Sequence, residues 1–270
     1  MGRIGRSFEL VRQSYGILMQ DKELMILPLI SGIVTVGVCL SFFVGFDLTA
    51  RIQTGDRSVV AVPVFLMYVA VYAVGIYFQA AVIAGATERI RGGDPTIGSA
   101  LSAASRHLGS ILLWALIAAT FGILLRALRD RSGFLGRIVI ALAGAAWSLG
   151  TFFVVPIIIL EDLPVGEALS ESVEVFRKTW GETFVGSTTL GAAAVCAWLT
   201  LVALVGLLAW AGLRIGALAV GAAGAILLAV LFSALQGVFV ASLYQFATAG
   251  ATPRGFDRSV LAQAFAPKAR

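Results

Sequence analysis

From Ile138 to Leu160 the chain carries no charged residue. At about 1.5 Å per helical residue that run is long enough to cross a hydrocarbon core of about 30 Å. Five more charge-free runs cover Leu24 to Phe46, Val59 to Ala86, Ser110 to Leu125, Thr183 to Ala211 and Ile215 to Ala247. Inside lipid the backbone has no water to bond, so a single apolar run of this kind can exist there only as a helix. The expected fold is therefore all-α: a polytopic membrane bundle of six transmembrane helices. Composition agrees, because 59% hydrophobic and 13% charged residues lie far from soluble usage of about 25% charged. The run from Ser110 is the shortest and predicts a tilted span or one that begins earlier.

The segments between the runs are patterned as well. After Leu160, Glu161 and Asp162 stop the apolar run, Asp162 is placed to cap a new helix, and Pro164 suits its first turn. Val165, Ala168, Leu169, Val173, Phe176 and Trp180 then recur at three- and four-residue steps, with Glu167, Glu171, Glu174 and Lys178 on other faces. Acids early and Arg177 and Lys178 late suit the helix dipole, and Gly181 is where the chain would turn into the fifth span. Ile4, Phe8, Val11, Tyr15 and Leu18 describe a similar helix before the first span. Ile97, Ala100, Leu101, Ala104 and Leu108 describe a third, restarted at Pro95 after the charged turn ERIRGGD, Glu88 to Asp94. Three amphipathic interfacial helices are thus expected beside the six spans.

They match one another in two places: RSFELVRQSYG from Arg6 lies without a gap over ESVEVFRKTWG from Glu171, and IGSALS from Ile97 lies over VGEALS from Val165. The chain reads as a threefold helix-span-span repeat, with units of about 3–86, 94–160 and 164–248 in one six-span domain, 1–250, and a basic tail over 251–270. An even number of spans per unit gives every copy the same orientation. The first span is longer than a signal-peptide core and lacks a small-residue cleavage site after it, so it is expected to be retained.

The net charge of +5 does not form a block, which argues against a nucleic-acid partner. Arginines and lysines weigh toward the segments on the side of the termini, placing both termini in the cytoplasm of a cell-membrane protein. Arg126, Arg129, Arg131 and Arg137 fall in a loop on the other side and are the exception; Arg126 and Arg137 can snorkel from span ends. Cys39 and Cys196 lie inside apolar runs and read as packing residues.

Reactive groups are sparse. His107 is the sole histidine, which excludes a multi-histidine metal cluster, and it reads as an interface residue. Glu161 and Asp162 could bind a hard cation but are more simply a helix boundary. RGGDP, Arg91 to Pro95, lacks the lysine and spacing of a phosphate loop and is a turn. No catalytic, cofactor-binding or metal residue is expected, and the chain is read as no enzyme. Ion or proton transport needs ionisable groups in the spans, and these spans have none at mid-depth. Gln79, Gln236 and Gln245 are the polar candidates for a substrate path, with Pro63 and Pro156 as possible helix breaks; glutamines in a bundle more often bond neighbouring helices. Tyr68, Tyr72 and Tyr77 read as interhelical packing and interface anchors. Gly144, Ser148, Gly221 and Gly224 suggest close helix packing.

Three stretches, WALIAATFGILL from Trp114, WSLGTFFVVP from Trp147 and ALSESVEVFRKTWGETFVG from Ala168, resemble a prokaryotic family of six-span integral membrane proteins of unknown function. The likeness covers nearly the whole chain. More distantly the layout is similar to the membrane domain attached to some bacterial glycerophosphodiester phosphodiesterases, whose catalytic barrel is absent here. The resemblance implies a multi-pass membrane protein and transfers no site residue. Two functions remain. The favoured one is a structural or accessory protein in the lipid bilayer whose cytoplasmic helices dock a protein partner or the membrane surface, through Val173, Phe176 and Trp180 and, at the N-terminus, Phe8 and Tyr15. The alternative is a transporter or lipid-handling protein for an apolar or lipid-like substrate, using Gln79, Gln236 and Gln245.

Overall fold

The structure, a computed structural model, describes residues 15–16, 18–19, 21–47 and 57–249. Phe8 and the rest of the first amphipathic segment up to Ser14, and the tail 251–270, lie outside the described residues. Among the described residues all regular structure is helical. A 3-10 turn, Lys22–Met25, leads into α1, Ile26–Gly45; α2 is Arg57–Ile90, α3 Ile97–Arg106 and α4 Leu108–Asp130. Then come α5, Phe134–Gly150, α6, Val154–Glu161, α7, Val165–Trp210, and α8, Arg214–Ala249.

Among the described residues six stretches are long and apolar enough to cross a membrane: Lys22–Gly45, Val60–Ile90, Leu108–Asp130, Phe134–Glu161, Leu190–Trp210 and Arg214–Gln245. No more than 22% of the apolar window of any of them is buried inside the protein. Their outer surfaces carry Val44, Ile215 and Trp210, each more than four-fifths exposed. An apolar surface of that extent needs lipid around it.

Four boundaries differ from the sequence reading. The third span is not short: α4 has 23 residues, because helix continues through Arg126 and Arg129, whose charges favour the carbonyl end of the dipole. The supposed arginine-rich loop is therefore only Arg131–Gly133, and Arg126, Arg129 and Arg137 stand on helix ends. The fourth span is not continuous but breaks at Thr151–Phe153. Pro156 explains the break, since its ring crowds the carbonyl four residues back, at Phe152, and it has no N–H to donate there. Pro63, by contrast, is absorbed within α2 without a break. Finally, the chain does not turn at Gly181. The segment from Val165 and the fifth span are one helix of 46 residues.

The described residues fall into two compact units, one comprising those of Met1–Leu29, Val82–Ala100 and Arg177–Arg270, the other Ile30–Ala81 and Leu101–Phe176. In the first, Leu18, Leu24 and Leu27 are fully buried, and α8 passes α2 so closely that a Cβ at Gly237 would strike Val82. The α7–α8 hairpin turns at Gly212, whose φ of +83° suits glycine, with Leu213 N–H donating to Leu208 O (2.9 Å) and Gly212 N–H to Ala209 O (3.1 Å). Gly221 lets Val205 approach to 3.3 Å of the place a Cβ would take.

In the second unit the Trp147 ring stacks on Phe121 at 3.9 Å and on Trp114 at 5.9 Å, joining α5 to α4. Gly144 opens the same seam to Leu125. All residues of α6 from Val154 to Ile159 are buried.

Candidate functional site

In the first unit the polar groups collect where spans end. The chain leaves α2 through Gly92, with φ of +92°: Gly93 N–H donates to Glu88 O and Gly92 N–H to Arg89 O, each at 2.9 Å. Arg89 is thereby held on the last turn. Its Nε and Nη2 donate to both carboxylate oxygens of Asp21, and Nη2 also donates to Asp94 Oδ1 at 2.8 Å. The Asp21 side chain is 8% exposed and that of Asp94 91%, so the two-pronged Asp21 contact dominates and the Asp94 one is screened.

Thr96, rather than Pro95, caps α3. Its Oγ1 accepts the Ser99 N–H while Ser99 Oγ accepts the Thr96 N–H, both at 3.0 Å, a reciprocal box that satisfies two orphan donors. Ser99 Oγ also donates to Glu88 Oε2 at 3.1 Å. Beside this network Thr87 is buried, and its hydroxyl has no hydrogen-bond partner among the described residues. Its carbonyl accepts Gln245 Nε2 at 3.5 Å and Arg91 N–H at 3.0 Å.

In the second unit Tyr77 reaches α3, with its hydroxyl 2.8 Å from Ser105 Oγ and donating to Leu101 O at 3.3 Å. Tyr68 donates to Tyr72 at 3.3 Å within α2. His107, between α3 and α4, places Nδ1 3.2 Å from Asp162 Oδ1. That corrects the expected role of Asp162. It is the C-cap of α6, at φ of +55°, and its side chain is turned toward His107. With the acid spent on the preceding helix, Pro164 O receives the first α7 bond, from Ala168 N–H at 2.9 Å.

The first turns of α7 bury Val165, Ala168, Ser172 and Val175. This stripe is rotated from the predicted one, and its centre is a serine. Fully buried, Ser172 Oγ donates to Gly150 O at 2.7 Å and accepts Phe153 N–H at 3.1 Å, closing the break between α5 and α6. Helices broken within a membrane usually have their freed backbone groups met by a neighbouring hydroxyl of this kind. Val173, expected on the apolar docking face, is 38% exposed, and Phe176 is half-buried. The Trp180 side chain lies outside the described residues. Tyr15 is 45% exposed.

Gln79 is half-buried in the second unit; in the first, Gln245 bonds Thr87 and Gln236 is exposed on α8. Sequence reasoning missed Asp21, Arg89 and Ser172. The signal for Ser172 was the proline break at Pro156, which requires a donor and an acceptor from elsewhere; nothing local pairs Asp21 with Arg89. Among the described residues no group of three or more His, Cys, Asp or Glu could hold a metal ion.

No curated protein and no solved structure matches the chain, so the distant likeness to the membrane domain of glycerophosphodiester phosphodiesterases has no support from these comparisons. The model of one family matches residues 58–255, from the start of the second span to just past the sixth. That covers well over half of the 270 residues and includes every cap, break and polar contact described above except Asp21. The chain belongs to DUF6159, a family of unknown function.

Proposed function

We propose that this protein is a non-catalytic accessory component of the cell membrane that holds a protein partner on the first turns of α7, at the cytoplasmic face. One observation carries the reading. Beside the stripe of α7 that the chain itself covers, Val165, Ala168, Ser172 and Val175, runs a second apolar line through Leu169, Val173 and Phe176 that stays partly open. Trp180 continues that line in sequence, with Glu167 and Arg177 exposed beside it. An aromatic line rimmed by charge is the composition of a protein interface. In the repeat read from the sequence, Phe8 corresponds to Val173 and Tyr15 to Trp180. The cytoplasmic placing of both termini rests on the lysine and arginine balance. The three-residue link Arg131–Gly133 supports it, because arginines on span ends can snorkel.

The test is purification from the source membrane in native lipid, comparing the wild-type chain with a Phe176→Ala, Trp180→Ala variant. A stoichiometric protein present with the first and lost from the second supports the reading. The same proteins with both chains overturn it. The transport or lipid-handling alternative draws on the broken fourth span, since discontinuous helices line substrate sites in many transporters; Ser172, which already satisfies the freed groups, weighs against it. A retained lipid or metabolite lost on Gln79→Leu, with no protein partner, would favour that alternative.

A further inference from the structure

The lipid-facing side of α8 contains a polar residue with nothing to bond. Gly237 touches Val82, and Val82 lies seven residues, about 10 Å along a helix, inside the Arg89–Asp21 pair that marks the end of the span. Gln236 is therefore at hydrocarbon depth. It is exposed, at the edge of the stretch the chain covers, with Ala229 and Ser233 exposed before it on its side of α8 and Phe239, Val240 and Leu243 buried beyond it, and it has no hydrogen-bond partner among the described residues. A carboxamide in hydrocarbon without a partner is costly, and lipid tails offer it neither a donor nor an acceptor.

Gln236 ends a line of exposed residues. Ala222, Ile226, Ala229, Ser233 and Gln236 follow one another at four-, three-, four- and three-residue steps, all exposed, and Val240, next on the same line, is covered by the chain. Heptad spacing is that of two helices packed along their length, and small residues with one hydrogen-bonding side chain are what membrane helices use to do it. We propose that two copies of this chain pair through α8 along this line, the two Gln236 amides bonding each other. The occupant is a second copy for a reason of symmetry. Two α8 helices related by a twofold axis along the membrane normal run parallel and bring their Gln236 residues to the same depth. The amide is both donor and acceptor, so the pair satisfies itself. Any other membrane helix would need a polar group of its own at that depth.

The experiment uses the full chain in its membrane with Cys39 and Cys196 replaced by alanine, and single cysteines at Ala229, Ser233 or, as an off-line control, the exposed Leu227. Oxidation should give disulfide-linked dimers for Ala229→Cys and Ser233→Cys and little for Leu227→Cys. Equal cross-linking at all three reports collision and overturns the proposal, as does cross-linking of Ala229→Cys to a different protein. Single-molecule photobleaching in liposomes should show a dimer that Gln236→Leu weakens about threefold to thirtyfold, the span expected for one membrane hydrogen bond, and that Gln236→Asn largely retains. A monomeric wild-type chain, or an unchanged dimer in Gln236→Leu, overturns it.

Discussion

Ser172 Oγ donates to Gly150 O at 2.7 Å and accepts Phe153 N–H at 3.1 Å, so one hydroxyl on α7 serves both sides of the break between α5 and α6. Substitution of Ser172 by alanine removes the hydrogen bond to the Gly150 carbonyl and the one from the Phe153 N–H. We expect a loss of about 1–3 kcal/mol, read as a lower unfolding temperature in detergent. Ser172→Ala with an unchanged transition would mean the break is closed by something else.

Arg89 and Asp21 tie the end of the second span to the start of the first, and the pairing is two-pronged with the acid nearly buried. Asp21→Ala or Arg89→Ala should each destabilise by about 1–3 kcal/mol, discounted from a fully buried pair because the Arg89 side chain is 24% exposed. The double variant should cost less than the sum, with a coupling of at least about 0.5 kcal/mol. Additivity in that cycle would dissolve the pair as an energetic unit.

Thr87 should behave in the opposite sense. Its buried hydroxyl lacks a partner, so Thr87→Val removes a polar atom that gains nothing from burial while preserving shape. Stability should stay level or rise by about 1 kcal/mol. A clear fall in the melting temperature would place an unseen partner on that oxygen.

Gly237 and Gly224 permit close approach, Gly237 of Val82 on α2 and Gly224 of Leu201 on α7. Gly237→Leu or Gly224→Leu should cost about 1–3 kcal/mol or prevent accumulation of folded protein. Gly191→Leu is the control, because nothing stands within 4 Å of its Cβ position, and fluorescence-detected gel filtration separates the outcomes.

Phe176→Ala is expected to remove a partner with little change in thermal stability, because its side chain is not fully buried in this chain. Co-purification and melting temperature measured on the same sample check both halves. A large stability loss with an intact partner complex would make Phe176 a packing residue.

Much of this was determined by sequence alone, because lipid leaves the backbone few choices. Charge-free runs such as Ile215 to Ala247 had to be helices, and Gly212 had to be a turn between two of them. The close-packing glycines were legible too, at Gly144, Gly221 and Gly224. What the sequence could not settle was whatever depends on distant partners. Helical periodicity placed Val173 on the same face as Val165, yet the face the protein covers passes through Ser172, because Gly150 and Phe153 need its hydroxyl there. Periodicity locates an apolar stripe to within one residue either way, and the tertiary contact chooses among them. Asp162 could have capped either helix beside it, and a left-handed backbone with His107 opposite decided for α6. Asp21 and Arg89 are 68 positions apart and carry no local mark of their pairing; only the folded chain brings the two together.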